Sequence, residues 1–586
     1  MQALHLPSEK IKLNIKMAIF DYVTILVFTV GILFTGAAFS KTGKTMKSFF
    51  AADGAIPWWI SGLSLYMGFH SAGTFVVWGS IAYTHGWVAI TIQLTMCIAG
   101  LLVGFFIAPR WRKTGALTAA EYIISRLGKN TQKTYTYLFL LISMFSSGAF
   151  LYPVAKILQV STGLDLSMCI ILLGLFSILY VSVGGLWAVI VTDMLQFVIL
   201  TAAIFIVVPL SFDKIGGIHN FIQKAPEGFF NIFNGDYTWE FIIPFCIYNL
   251  FFLGGSWSYV QRYTSVRTPK DAKKVGWMFG ILYLVSPLLW MLPPMIYRIY
   301  NPTLNGMQDE GAYLLMCKEA LPVGLLGLML GGLIFATASA LNGLLNISAG
   351  VITNDIYKRL KPHSTDAKQM KVARLSTIIF GGIAILIALS ITRMGGIVNV
   401  VISIAALTGV PLYLPVIWSL FSRKQTGRSV LSVTLISLLV NTIFKFILPL
   451  IFTDFHLNRA HEMILGVSVP FLLLVITEIG LRLNPSPNKD YENYLILQEE
   501  KAKKAHEPII EDVKSNEAPK RDANAYGIKV MGIGVTCIGV MIAILGAQAS
   551  NGNTLIISVG TVVMALGAFI LYGSYRVKKK AKEKLN

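Results

Sequence analysis

Charge is what this sequence lacks. Only 13% of its 586 residues are Asp, Glu, Lys or Arg, against about 25% in an ordinary soluble chain. That shortage excludes a water-soluble globular domain. Cysteine is also scarce: Cys97, Cys169, Cys246, Cys317 and Cys537 are the five. They show no CxxC and no paired spacing, which argues against a disulfide framework or a cysteine metal site. Four lie in apolar runs and read as small fillers, and Cys317 reads as a loop residue. HExxH, the Gly-x-Ser-x-Gly nucleophile elbow and any His/Cys cluster are missing too. Acids inside the apolar runs are few and scattered, which leaves paired-carboxylate chemistry without its parts. The chain is not expected to be an enzyme.

What is present is apolar. Hydrophobic residues make up 55% of the chain and mean hydropathy is +0.66. About 20 residues at 1.5 Å each cross the ~30 Å hydrocarbon core. Runs of that length recur near 18–39, 57–84, 87–108, 133–156, 162–182, 186–209, 240–260, 275–297, 321–350, 373–392, 396–421, 429–452, 462–482, 527–546 and 554–575. The expectation is an all-α integral membrane protein of about fifteen spans. The net charge of +20 does not point to nucleic acid, because the basic residues fall in short loops on alternate sides. Lys41, Lys44 and Lys47 follow the first run. Arg110, Arg112 and Lys113 follow the third. Arg262, Arg267, Lys270, Lys273 and Lys274 follow the seventh. KRLK, SRKQTGR and the tail YRVKKKAKEKLN fall on the same side. The positive-inside rule then puts the N-terminus outside and the C-terminus in the cytoplasm, in a cell (inner) membrane. The longest outer loops are near 211–239 and 298–320. Five regions follow: 1–56 with the first helix and an inner loop, a core at 57–421, two accessory helices at 422–483, a solvated cytoplasmic linker at 484–526 rich in Lys, Glu and Asn, and a final helix pair at 527–586.

Two runs have weak centres. The second carries GFHSAGT at 68–74 and the seventh carries GGS at 254–256. Glycine costs about 1 kcal/mol against alanine in a helix. Small residues alone also permit close helix packing. Here the two weak centres lie five spans apart, at matching places in successive five-helix units. That pattern predicts an inverted-repeat transporter with broken helices at a midplane site. Carbonyls freed at a break can hold a cation, and helix N-termini can face a solute.

Three motifs in order are similar to those of the sodium/solute symporter family. Gly184, Gly185, Leu186, Ala188, Val189, Thr192, Asp193 and Gln196 form the first. FATASALNGLLNISAGVITNDIY at 335–357 is the second. Asn249, Leu250, Phe251 and Phe252 with Gln261 and Arg262 form the third. The resemblance covers roughly residues 18–480. It implies a LeuT-like five-plus-five inverted repeat and sodium-driven symport of a small polar organic solute into the cell. Sodium is then the coupling ion, with no other cofactor; the solute and the lipid bilayer are the remaining partners, and the sequence leaves the oligomeric state open.

The resemblance also carries ligands over. Carbonyls of Met67 and His70 at the first break, with Ala336, Ser339 and Ala340 on the Ser-rich helix, match the sodium site. Oxygen ligands suit a small hard cation. Ala340 departs from the pattern, since it offers no side-chain oxygen; Thr337, Asn342 or a water is the candidate to compensate. The residues matching a second sodium site beside Asp193 are Asn342 and Gly343, and Gly343 offers no hydroxyl, so one site is expected. Asp193, Thr192 and Asn342 are then assigned to the cation path, with Gln196 beside them. Solute positions match Ser71, Gly73, Thr74, Gln93, Asn249, Phe252 and Ala405, with Phe252 as the inner aromatic gate. The acid and glutamines of a hexose pattern are missing or shortened, so the solute is not named.

His70 carries two readings: a packed ring bonded at the helix break, or a proton-linked switch. Lys156 and Lys445 read as snorkelling or, for Lys445, paired. Glu478 reads as an acid near an inner helix end. Trp58, Trp59 and Trp111 read as interface anchors. A proton-coupled or uncoupled transporter and a non-transporting solute sensor are the alternatives to sodium symport.

Overall fold

The computed structural model describes residues 17–39, 56–116, 118–180, 186–452, 455–483, 487–506 and 513–583. The lysine loop at 41–47 and the Gly184–Gly185 start of the first motif lie outside them. So do the side chains of Ser339 and Asn342, although their backbone is helical.

Helix α1, Ile19–Phe39, precedes the core. The first unit holds α2 (Trp58–Met67) and α3 (Gly79–His85), α4 (Val88–Lys113), α5 (Ala119–Leu127), α6 (Lys129–Thr162), α7 (Leu166–Tyr180) and α8 (Leu186–Ile215). The second holds α9 (Trp239–Gly255) and α10 (Trp257–Thr264), α11 (Pro269–Tyr300), α12 (Ala312–Ala320), α13 (Leu325–Val351), α14 (Asp366–Ser390) and α15 (Ile397–Ser419). After these come α16 (Gly427–Ile451), α17 (Arg459–Leu483), α18 (Lys489–His506), α19 (Val513–Ala547) and α20 (Asn553–Glu583). Among the described residues, ten helices are long and apolar enough to cross a membrane. The bent pair α9–α10, with a 57° angle, makes an eleventh.

Lipid tails are as apolar as leucine, so helices in a membrane associate through close packing at small residues. The crossing of α4 and α11 follows that rule. A methyl group on Gly276 would sit 2.6 Å from the Cα of Gly104, and one on Gly100 would sit 2.8 Å from the amide of Gly280. The final pair, α19 and α20, meets the same way at Gly539 and Gly560.

Buried polar groups pin the ends of the bundle. Asp21 of α1 accepts from the amides of Gly324 and Gly327 at 2.7 and 3.0 Å, which satisfies the otherwise orphaned start of α13. At the end expected to face outward, Glu310 is 3% exposed. It accepts from Tyr152 Oη at 2.9 Å and from the Ile397 amide at the start of α15 at 3.0 Å. Lys156 lies 3.9 Å away. Lys156 therefore does not snorkel; it is buried against a carboxylate, which lowers the cost of an unpaired charge. Its neighbour in that cap, Asp309, accepts from Ser80 of α3 at 2.8 Å. Cys317 lies on α12, buried, rather than in a loop.

Three further sequence readings change at the other end. Trp111 is fully buried, not an interface anchor. Glu478 is 7% exposed and accepts from Ser422, Gln425, Trp418 and Arg482, so it is a buried acceptor rather than an acid near water. Residues 489–506, expected as a solvated linker, form a helix, and Tyr491, Tyr494 and Gln498 of it touch other parts of the chain. Their many charges masked a face made by Tyr491, Tyr494 and Gln498, spaced as a helix requires. Lys445 pairs with Glu462, as one of its readings held.

Candidate functional site

Both weak centres are breaks. Helix α2 stops at Met67, and residues 68–71 turn before the chain becomes helical again at Ala72 and runs through a π turn at Thr74–Trp78 into α3. Inside the turn, the amides of Gly68, Phe69 and His70 reach back to Ser64, Tyr66 and Met67. The Thr74 hydroxyl donates to the Phe69 carbonyl. Across the bundle, the Ala72 amide donates to Thr337 Oγ1 at 2.8 Å, and Thr337 donates on to the Leu333 carbonyl. The break thus lies against α13 beside Ala336. Of the residues expected around a cation, Met67, His70, Ala336 and Ala340 therefore belong to two elements that touch.

His70 is 1% exposed. Its Nδ1 donates to the Tyr66 carbonyl at 2.9 Å. Its ring packs against Trp290 and Tyr66, with centroids 3.6 and 4.0 Å away. This is the packed arrangement, with the ring bonded at the break.

The second break is stitched differently. The last carbonyls of a helix have no partner within it. Leu253 finds the Tyr263 hydroxyl at 3.1 Å, and Gly254 finds the Trp111 indole at 2.7 Å. Those two carbonyls are already engaged, against the expectation that a break offers its carbonyls to ligand. The breaks face each other through aromatic rings. Phe69 stacks on Tyr259 at 4.5 Å and meets Phe252 edge-on at 5.9 Å. Phe252 also touches Tyr248, Tyr259 and Tyr413.

Polar side chains line the space between α4 and α9. Gln93 and Asn249 are 4% and 0% exposed. Asn249 Nδ2 donates to Thr95 Oγ1 at 2.8 Å, and Asn249 Oδ1 is buried without a hydrogen-bond partner. Sequence reasoning missed Thr95: a threonine in a helix often bonds its own backbone, and Thr95 does so at the Ile92 carbonyl. A methyl group on Gly73 would lie 3.2 Å from Ser71 Oγ, so these two share one turn. Ala405 starts a π turn at Ala405–Gly409 in α15.

Asp193 is 7% exposed. It accepts from Ser64 Oγ of α2 at 2.7 Å and lies 3.9 Å from Arg262 of α10. The aspartate thus joins α8 to both broken helices. Arg262 is correspondingly not a free loop cation: its side chain is only 13% exposed, and its Nη1 is buried with no hydrogen-bond partner. Its place in a run of basic residues hid that. Thr192 and Gln196 are buried on the same helix. Asn342 and Ser339 have side chains outside the described residues.

Comparison with known proteins follows this geometry. The family model for the sodium:solute symporter family matches residues 49–436. The sodium/sialic acid symporter SiaT of Proteus mirabilis (strain HI4320) is 27% identical over 376 residues, 62% of this chain and 76% of that protein. Sodium/glucose cotransporter 1 of Ovis aries is 26% identical over 453 residues, 69% of this chain and 68% of that protein. Among solved structures, the substrate-bound outward-open state of a Na+-coupled sialic acid symporter superposes with a TM-score of 0.65 at 23% identity, covering 81% of this chain and 99% of that one. Mhp1, a nucleobase-cation-symport-1 family transporter, gives 0.50 at 13% identity, covering 76% and 97%. These likenesses are of fold: an all-α, LeuT-like helical membrane architecture.

Proposed function

Because the chain belongs to the sodium:solute symporter family, whose members are transporters and not enzymes, we propose that it carries a small polar organic solute into the cell on an inward sodium gradient. The observation that carries this reading is the pair of broken helices meeting face to face at Phe69 and Tyr259, with the first break bonded to α13 at Thr337.

In this reading the carbonyls of Met67, His70 and Ala336 and the Ser339 hydroxyl hold sodium. Ala340 adds no side-chain oxygen, so the site has one ligand fewer than the family pattern. A hydrogen bond or dipole contact to a charge contributes about 1.5–3 kcal/mol, so sodium binds more weakly here unless water fills the gap. Asp193, Thr192 and Asn342 serve the path by which the cation leaves. Asn249 and Gln93 hold the solute, with Ser71, Gly73, Thr74 and Ala405 lining the site and Phe252 closing its inner side. The buried, unpartnered Asn249 Oδ1 supports that role, since such an atom is costly until a ligand satisfies it. SiaT and the glucose cotransporter are named for sialic acid and glucose, and these two sugar classes are the first solutes to test.

We extend the same reading to topology. Three shorter apolar helices, Ile19–Ile32, Leu166–Leu175 and Leu325–Ala338, and the broken pair α2–α3 supply the remaining crossings of a fifteen-span chain. Its N-terminus is outside and its C-terminus cytoplasmic, in the cell membrane, with the transport core at 57–421.

Thermal unfolding of the purified chain tests the site. A ligand that binds only the folded state raises its stability by mass action. Sodium is expected to raise Tm over choline, and a sialic acid or hexose to raise it further only with sodium present. No shift with sodium and none with either sugar class overturns the assignment.

A further inference from the structure

The first turns of the helix after the accessory pair are bonded to the transport core and to the loop that follows it. Asn488 caps α18 with its side-chain oxygen, which accepts from the Tyr491 amide at 3.2 Å. The amide nitrogen of the same side chain reaches three carbonyls of the loop between α15 and α16, those of Arg423, Lys424 and Gln425, at 2.9, 3.1 and 3.0 Å. Two residues on, Asp490 accepts from the Gly427 amide at the start of α16, at 3.1 Å. Tyr491 lies under the guanidinium of Arg126 at 4.8 Å. Arg126 itself is 1% exposed and donates to the Ser422 and Gln425 carbonyls, both at 3.0 Å. A solvated linker has no reason to satisfy so many groups on another part of the chain.

The contact continues inward. Tyr494 meets Tyr122 of α5 edge-on, 6.0 Å between centroids. Tyr122 bonds Ser419 at the end of α15 at 3.0 Å and packs edge-on against Trp111 at 5.1 Å. Trp111 is the residue whose indole donates to the Gly254 carbonyl at the second break. A second route reaches the same tryptophan. Gln498 donates to the Thr114 carbonyl at 2.8 Å, and the Thr114 hydroxyl donates to the Trp111 carbonyl at 2.7 Å. Two contacts from α18 thus converge on one residue, the first on the Trp111 ring through Tyr122 and the second on its backbone carbonyl through Thr114, and the indole of that residue holds the break.

We propose that α18 is an intramolecular clamp on the cytoplasmic face, and that Trp111 is the positioning residue through which it holds the α9–α10 break in the arrangement seen here. Docked, the helix wedges α5 against Trp111 and keeps the indole on Gly254. Released, it frees α5, and Gly254 loses its partner, which loosens the break and favours its rearrangement. The segment is therefore a brake on the transport cycle, set by whatever displaces a charged cytoplasmic helix. The proposal rests on the symporter reading for its consequence but not for its geometry.

Hydrogen exchange on the full-length protein separates the two. In the variant Asn488→Ala/Tyr491→Ala/Tyr494→Ala, the amides of residues 489–500 are expected to lose protection. Those of residues 252–258 should exchange about five- to tenfold faster with it, the size of one lost hydrogen bond. Trp111→Phe alone should reproduce the effect at 252–258 while leaving 489–500 protected, and adding the triple change should add little at the break. Unchanged exchange at 252–258 with α18 released overturns the coupling. Full protection of 489–500 in the triple variant overturns the docking. These readouts need no solute. If they hold while sodium-driven uptake is absent, the clamp stands and the symport reading fails; if uptake is present and unchanged by release, α18 is no brake.

Discussion

Asp193 and Arg262 share one buried contact, and removing either charge leaves the other unmatched. Breaking such a pair costs about 3–5 kcal/mol, because a lone buried charge remains. Asp193→Asn is therefore expected to lower thermal stability sharply, and Asp193→Asn/Arg262→Gln to recover most of it. Sodium-driven turnover distinguishes the roles: it stays slow in the double variant if Asp193 serves the cation path, and returns if the pair only braces the helices. The aspartate was legible in the sequence, since an acid in an apolar run is costly. Its partner was not, because Arg262 sits at the head of a basic stretch that hydropathy assigns to a loop. Asn249 gives a second expectation. With its Oδ1 unpartnered, Asn249→Ala should weaken solute binding by about tenfold or more, read by titration in sodium. Thr95→Val removes the bond that orients the amide and should weaken binding less. Equal binding in all three proteins would remove Asn249 from the solute site.

The broken helices were visible one level up. Glycine pairs with neighbouring hydroxyls interrupt an otherwise apolar run, and their equal spacing gave the repeat. What the breaks do with their backbone groups was hidden, because the partners come from far along the chain: Thr337 for Ala72, Trp111 for Gly254. Aromatic residues near span ends suggest interface belts, so Trp111 gave the wrong signal. The polar cap around Glu310 adds an acid-sensitive element. Asp309 is half-buried beside Glu310, Lys156 and Ser80, and burial pushes its carboxyl up from 3.8 to about 6. A raised carboxyl binds its proton more tightly in the folded state, so folding takes up a proton between these values. Its contribution to stability is fully present below about pH 4 and lost as pH rises through 6. Thermal unfolding should accordingly show Asp309→Asn to be more stable than the parent at pH 7.5 and similar to it at pH 4.5. An equal gap at both values would show that the carboxyl does not titrate there.

Across the whole molecule, shortage of charge and the recurrence of twenty-residue runs already gave the class, and two matched breaks gave the architecture. The sequence could not show how later segments attach. High charge in 484–526 hid α18, and the glycines of α19 and α20 gave no sign of how closely that pair meets. The central claim is that this assembly couples a polar solute to sodium. Its most direct test is uptake into sealed proteoliposomes loaded without sodium, with labelled sialic acid and labelled glucose offered outside under an inward sodium gradient. Accumulation of one of them above its outside concentration, abolished by a sodium ionophore and absent when choline replaces sodium, is the predicted result. Accumulation that stops at equal concentrations, or that persists unchanged without sodium, would contradict it.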